Sequence, residues 1–461
     1  MTPKVFVLGL DCLTPQLVFE RYRDRLPNFS RLMERGAWGR LKSSDPPITV
    51  PAWSCMFSGR DPGELGLYGF RNRADHSYEN LLLANSRAVR FKRVWDHASE
   101  AKLDVVVLGV PQTYPPTPVK GVLVASFLTP SKDSNYTYPP LVKWELDKLA
   151  GDDGYVIDVE NFRTDDKDAL LEAIHTMTRR RFRVARAWID RRPWNLFCMV
   201  EMGPDRIHHG FWRFADPTHR LYEPGNRYEN ALLDYYRLLD DELGQLLALL
   251  PPQTSLLVVS DHGARGMEGG ICVNEHLIER GLLKVKQYPD AITRLRYDNV
   301  VWSETRAWGE GGYYGRVFLN VAGREPEGVI PPGEVERFRD ELAAQLAAIA
   351  DPDGKPIGTV VHTPEQLYRV RNGVPPDLLV YFGNLAWRSV GSIGHRAVHT
   401  FSNDTGPDDA NHDHHGVFLA SDPRLDGKGK LEGLTLYDLF PTIMDRLGLD
   451  LPEGTLGRTL G

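Results

Sequence analysis

The sequence predicts an α/β fold: a central, mostly parallel sheet flanked by helices, with a smaller cap carried within residues 283–403 of one catalytic domain spanning 1–461. Continuous apolar runs such as "VFVLGLD", "DVVVLGVP" and "TSLLVVSDHG" have the pattern of strands buried on both faces. Helical stretches alternate with them, as in a parallel sheet built from crossover units. Several of the runs end in an acid or a histidine, at the strand end where open α/β sheets bind ligands.

Composition sets the bounds. The chain has 461 residues, 42% of them hydrophobic and 25% charged, with a net charge of −7. That is ordinary for a soluble globular protein and argues against a broad nucleic-acid footprint. The start, "MTPKVFVLGLDCL", is too short for a membrane span and lacks a signal-peptide cleavage pattern. Cys12, Cys55, Cys198 and Cys272 have neither metal-site spacing nor scaffold density, which fits a reducing, cytoplasmic setting.

Val5 to Asp11 reads as the first buried strand, with Asp11 at its carboxyl end; capping the next loop is the competing role for that acid. Thr14 and Pro15 then open a helix that Gly36 closes. The stretch "DPPITVPAWS" places one hydroxyl, Thr49, where a helix should begin, with Pro51 in the first turn and Gly59 at the end. Unpaired N–H groups there favour an anion such as a phosphoryl group, so Thr49 is the candidate nucleophile, against a plain N-cap role.

Two further strands, "DVVVLGVP" and "GVLVASFL", follow a helix at "RVWDHASEA" and are joined by Pro- and Tyr-rich loops. Asp165 to Arg192 is a helix with acids first and bases last, which complements its dipole. "WNLFCMVEMGPDRIHHGFW" is a strand that delivers Asp205, His208 and His209. One helical turn points Asp205 and His209 the same way, as a metal corner or as a surface pair. After a helix from Tyr228 to Leu250, "TSLLVVSDHGARG" repeats the pattern with Asp261 and His262, followed by glycines that permit close backbone approach.

The region 283–403 contains the Gly-rich "WGEGGYYGRVFLN", a helix near Pro332 to Ala350 and the strand "PDLLVYF". "DDANHDHHGVFLAS" then sets His412, His414 and His415 ahead of another apolar strand, and "LTLYDLFPTIMDRLG" ends the chain as a helix. Asp11, Asp205, His209, Asp261, His262 and His412, with Thr49, form a set of oxygen and nitrogen ligands without thiolate. Such a set suits zinc or manganese, and seven groups are enough for two ions about 4 Å apart, as used for in-line displacement at phosphorus.

Together "VLGLD", "PPITVPAWSCMFSG", "DPGELGLYGF", "GVPQTYPP", "DRIHHGFW", "SDHG", "HDHHGVFLAS" and "DLFPTI" resemble the alkaline phosphatase superfamily. Within it they are similar to the type I phosphodiesterase/nucleotide pyrophosphatase branch and its bacterial and archaeal relatives. The resemblance implies an alkaline-phosphatase-like fold with two divalent ions, Zn²⁺ or Mn²⁺. Asp11, Thr49, Asp261 and His262 would hold one, and Asp205, His209 and His412 the other. His412 is chosen because it stands four residues before Gly416, with His414 in reserve.

The activity implied is that of a phosphodiesterase working through a phospho-threonine on a small phosphate ester. A phosphomonoesterase or phosphomutase with the same core is the alternative. A sulfatase is disfavoured because Thr49-Val50-Pro51-Ala52-Trp53 lacks the required frame, and an inactive binding module because every expected ligand position is filled. One departure is Phe70 in "GLYGF", where nucleotide pyrophosphatases carry an Asn; Asn72 is the nearest substitute. With no cation among the immediate neighbours of Thr49, Trp53 or Phe70 is expected to stack on a second ester group, unless Lys132 or Arg306 reaches in.

Overall fold

The computed structural model describes residues 3–151 and 153–461, so Met1 and Thr2 of the quoted start lie outside it. Strand β1 (Val5–Leu10) lies in a ten-stranded sheet and is buried along its whole length. The apolar runs become the other central strands: β3 (Val105–Val110), β4 (Gly121–Ala125), β5 (Leu196–Glu201) and β6 (Ser255–Val259). In the order β6-β1-β5-β3-β4 they pair parallel throughout, so their carboxyl ends share one edge. The sheet becomes antiparallel where β9 (His415–Ser421) pairs with β6 and with β2 (Ala37–Lys42).

The expected single helix from Thr14 to Gly36 is instead three pieces. Gln16–Arg21 is a π-helical segment, Arg23–Arg25 a single 3₁₀ turn, and the α-helix α1 starts only at Pro27 and runs to Arg35. Proline removes a donor and pushes its predecessor out of helical geometry, and Leu26 accordingly sits at φ −127°. Helix α2 (Thr49–Ser58) begins at Thr49 and is buried at all ten positions. It stops at Gly59, whose φ of 65° is the left-handed conformation that glycine adopts without strain.

Three helices follow the basic and acidic patterning: α3 (Lys167–Arg191), α4 (Gly203–Ala215) and α5 (Ala231–Leu249). Asp166 caps α3 by accepting from the Ala169 N–H, which satisfies one of the helix's orphan donors. The chain closes with α6 (Leu439–Arg446).

A second hydrophobic cluster, separate from the one around the large sheet, gathers residues between Ile271 and Ile393. It is built on a four-stranded antiparallel sheet formed by Ala307–Glu310, Gly315–Leu319, Leu378–Tyr381 and Val360–His362. The helix Val335–Ala347 buries Phe338, Leu342 and Leu346 against it. Among the described residues no helix is long and apolar enough to cross a membrane, and the four cysteines are free and buried.

Candidate metal centre

The site lies along the shared carboxyl edge of the sheet. Asp11 follows β1, Asp205 sits in the first turn of α4 after β5, and Asp261 and His262 follow β6. Strand β7 (Gly263–Gly266) pairs antiparallel with β8 (Ala410–Asp413) in a register that sets Ala264 opposite His412. This long-range pairing brings His412 back to the edge, where its ring stacks on His262 at 3.9 Å.

All seven predicted residues converge. Ligand atoms of Asp11, Asp261 and His262 lie within 4.8 Å of one another, and so do those of Asp205, His262 and His412. His262 thus stands between two groups. Its Nε2 is 3.1 Å from Asp261 Oδ2 and 3.9 Å from Asp11 Oδ1. Thr49 Oγ1 is 3.2 Å from the same nitrogen. Asp205 Oδ1 lies 3.2 Å from His209 Nε2 and 3.7 Å from His412 Nε2.

The donor set fits divalent cations on two grounds. First, Asp11 Oδ1, Asp261 Oδ2, His209 Nε2 and His412 Nε2 are buried and have no hydrogen-bond partner. Buried polar atoms rarely stay unpaired, and these four belong to the converging set. Second, each histidine offers its other nitrogen to an oxygen acceptor. His262 Nδ1 donates to the Gly263 carbonyl at 3.2 Å, His412 Nδ1 to the Pro47 carbonyl at 3.0 Å, and His209 Nδ1 to Asp408 at 2.7 Å. That arrangement turns all three Nε2 atoms toward the carboxylates, the orientation of metal-ligating imidazoles.

Electrostatics point the same way. Burial, then the charges of Asp261 and Asp205, push Asp11 well above the usual carboxylate range. Burial raises Asp261 likewise, and Asp205 adds to it. Burial lowers His262 to about 4. Against burial, Asp408 and Asp205 raise His209 to about 9. Crowded buried carboxylates are relieved when a cation lies between them.

The expected surroundings of Thr49 need correcting. Trp53 cannot stack on a substrate: it is wholly buried and its indole Nε1–H donates to Asp11 Oδ2 at 2.6 Å, holding that carboxylate in place. Asn72 does not stand in for the missing Asn, because its amide accepts from Tyr68 N–H and donates to the Gly69 carbonyl, closing a turn. His414 hydrogen-bonds Asn384 Oδ1 and is in neither ligand group. His208 bonds the Tyr236 hydroxyl. Lys132 bonds the Asp153 carbonyl and Arg306 packs over Phe338; neither lines the cavity beside Thr49.

That cavity has a volume of about 820 Å³ and joins Thr49, Asp205 and His412 to Phe70 and to residues of the second cluster's region. Its lining is not purely apolar, since Arg206 enters it. The Arg206 guanidinium bonds both oxygens of Asp158, at 3.0 and 2.6 Å, and also Asp205.

Sequence reasoning missed Asp408, Asp158 and Tyr313. The Asp408 side chain is wholly buried and accepts from His209, Arg163 at 2.9 Å and Arg388 at 3.2 Å. Its only trace in sequence is its place just ahead of "ANHDHH". Tyr313 comes from the Gly-rich "WGEGGYYGRVFLN" and stacks on His412 at 3.9 Å, while its hydroxyl accepts from Arg163.

Comparison with known proteins agrees with this architecture. The sequence model of the family described as Type I phosphodiesterase / nucleotide pyrophosphatase matches residues 5–416. No curated protein matches the chain in sequence. Human ectonucleotide pyrophosphatase / phosphodiesterase 5 is similar in structure, with a TM-score of 0.56 at 14% identity over 97% of this chain and 96% of that one. An inactive murine form of the same protein, carrying a threonine-to-alanine change and bound to AMP, has a TM-score of 0.57 at 14% identity, over 98% and 97% of the two chains. The match from Val5 to Gly416 includes every predicted ligand, and the chain therefore belongs to the type I phosphodiesterase / nucleotide pyrophosphatase family and is a hydrolase of the phosphodiesterase type.

Proposed function

We propose that this protein hydrolyses small phosphate diesters with Thr49 as nucleophile and two divalent ions, zinc or manganese, as cofactors. The observation that carries the reading is the convergence of four unpartnered, buried ligand atoms on one edge, with a hydroxyl 3.2 Å from His262 Nε2. Asp11, Thr49, Asp261 and His262 would hold one ion and Asp205, His209 and His412 the other. Bound there, the ions would supply a lowered hydroxyl pKa and charge stabilisation at the phosphoryl and leaving oxygens.

The chain's own residues do the rest. The Thr49 hydroxyl gives its proton to solvent and Oγ1 forms a bond to phosphorus as the bond to the leaving oxygen breaks, its electron pair departing with that oxygen, which takes up a solvent proton. Water then cleaves the Thr49 ester and restores the hydroxyl. The N–H groups of Thr49 and Val50 open α2 without an intrahelical acceptor, which favours a phosphoryl oxygen beside them. Trp53 and Cys12 N–H hold Asp11 and Asp261, so the carboxylates need not reorganise. The threonine-to-alanine change in the inactive murine relative supports the same role for Thr49.

The region 283–403 acts in this reading as a cap, supported by its separate hydrophobic cluster and by Tyr313 over His412. A cytoplasmic setting is supported by the four free cysteines. Arg206, buried beside Asp205, favours a second reading, a monoesterase, because a cation there offsets the extra charge of a monoester. The test compares bis-(p-nitrophenyl) phosphate with p-nitrophenyl phosphate on one preparation loaded with zinc or manganese. A higher kcat/KM for the diester is expected, and a higher value for the monoester replaces the first reading with the second.

A further inference from the structure

The cavity beside Thr49 is far larger than a phosphoryl group needs, and its charges are unevenly matched. Six arginines line it, Arg71, Arg163, Arg206, Arg294, Arg316 and Arg388, in a protein whose net charge is −7. Four of them are committed. Arg206 pairs with Asp158 and Asp205, Arg316 pairs with Glu310 at 2.7 Å, and Arg163 and Arg388 share Asp408. Arg71 and Arg294 are exposed, and among the described residues neither makes an ion pair with a carboxylate. The remaining lining acid, Asp404, accepts from Ser392 Oγ at 2.8 Å.

Both free arginines stand on paired backbone. Arg71 opens the strand Arg71–Arg73, opposite Leu83, and Arg294 pairs across from Ser392, itself part of the cavity wall. Phe70 precedes Arg71, lines the same cavity and packs edge-on against Phe127 at 5.9 Å. Besides Thr49 the wall therefore offers an aromatic surface and two unmatched cations from two different segments.

We infer that Arg71 and Arg294 form a subsite for a second anion, a phosphate or carboxylate carried by the substrate's organic group beyond a ring-sized spacer. The inference rests on the diesterase reading and narrows its substrate class to esters with two separated anionic centres. Guanidinium groups suit both anions, since either can accept paired N–H donors.

The experiment uses two matched pairs of p-nitrophenyl diesters with the metal-loaded full chain. One pair is the thymidine 5′-ester with a 3′-hydroxyl or a 3′-phosphate; the other is the phenyl ester with or without a 4-carboxylate. The wild-type protein should favour the anion-bearing member of at least one pair about tenfold in kcat/KM, the size of one good charged contact. In Arg71→Gln with Arg294→Gln that preference should fall to near one, while turnover of the members without a second anion stays within about twofold. The pair that responds tells phosphate from carboxylate. Ratios near one in the wild type, or a preference that survives both substitutions, overturn the subsite. Calorimetric binding of the same compounds to the Thr49→Ala protein separates the two claims. If no diester is turned over but the anion-bearing compounds still bind tighter in an arginine-dependent way, the diesterase reading fails and the subsite stands.

Discussion

Thr49 Oγ1 and His262 Nε2 lie 3.2 Å apart, one at the first residue of a buried helix and the other just past the end of a strand. The contact joins the proposed nucleophile to the residue that stands between both candidate ligand groups. Thr49→Ala removes only a hydroxyl and a methyl group from a residue that is not an N-cap, so it should fold. Turnover should drop by about a thousandfold or more, the scale of losing a nucleophile. Thr49→Ser should retain measurable activity. Circular dichroism and steady-state rates on the three proteins check this, and an alanine variant with near wild-type rates would refute it.

Asp408 should matter for metal affinity although it touches no phosphorus. It fixes the His209 ring through Nδ1 and is itself held by Arg163 and Arg388. Asp408→Asn keeps the shape and loses the charge. The expected loss in metal affinity is about 10- to 100-fold, measured by competition with a chromophoric chelator. Unchanged affinity would reduce Asp408 to a packing residue.

The metal-free protein should lose stability as pH rises from about 6 to 9, and metal should flatten that slope. Asp11 and Asp261 have folded-state pKa values raised above the ordinary carboxylate value, so the stability they contribute when protonated is full below that ordinary value and is lost as pH rises through the raised ones. His209 is raised from 6.5 to about 9, so the stability its charge contributes is present below 6.5 and lost by about 9. Both effects have the same sign. Metal binding at neutral pH should accordingly release protons, which calorimetry in two buffers of different ionisation enthalpy counts. Zero release would mean the site is already deprotonated.

How much of this was legible in the sequence follows from the kind of contact involved. Asp11 and Asp261 could be read because each ends an apolar run, and Asp205 and His209 because a helical turn aligns them. Thr49 could be read from its prolines, and the helix breaks after it at Gly59. His412 needed the family's spacing, since the β7–β8 pairing that seats it joins segments far apart in the chain. Asp408, Asp158 and Tyr313 act through tertiary contacts that no local pattern announces. Trp53 departs from expectation for a related reason: proximity in sequence puts it next to Thr49, whereas the helix turns it beneath Asp11, while Phe70 does line the cavity.

Gly9 is a test of that support beneath the site. A Cβ there would come within 2.5 Å of the Trp53 ring and 2.7 Å of the Val200 side chain. Both neighbours are buried, so neither can move aside freely. Gly9→Ala should cost about 1–3 kcal/mol and should also reduce activity, because displacing Trp53 loosens Asp11. Urea denaturation and kcat on the same protein check both halves; a stability loss with intact kcat would show that Asp11 does not depend on Trp53.

The central claim is that phosphorus is transferred to Thr49 before it reaches water. The stereochemical course at a chiral phosphorothioate diester, hydrolysed in isotopically labelled water, tests it directly. Two in-line displacements, the first by Thr49 and the second by water, predict overall retention of configuration. Inversion would mean a single displacement by water and would contradict the covalent role of Thr49.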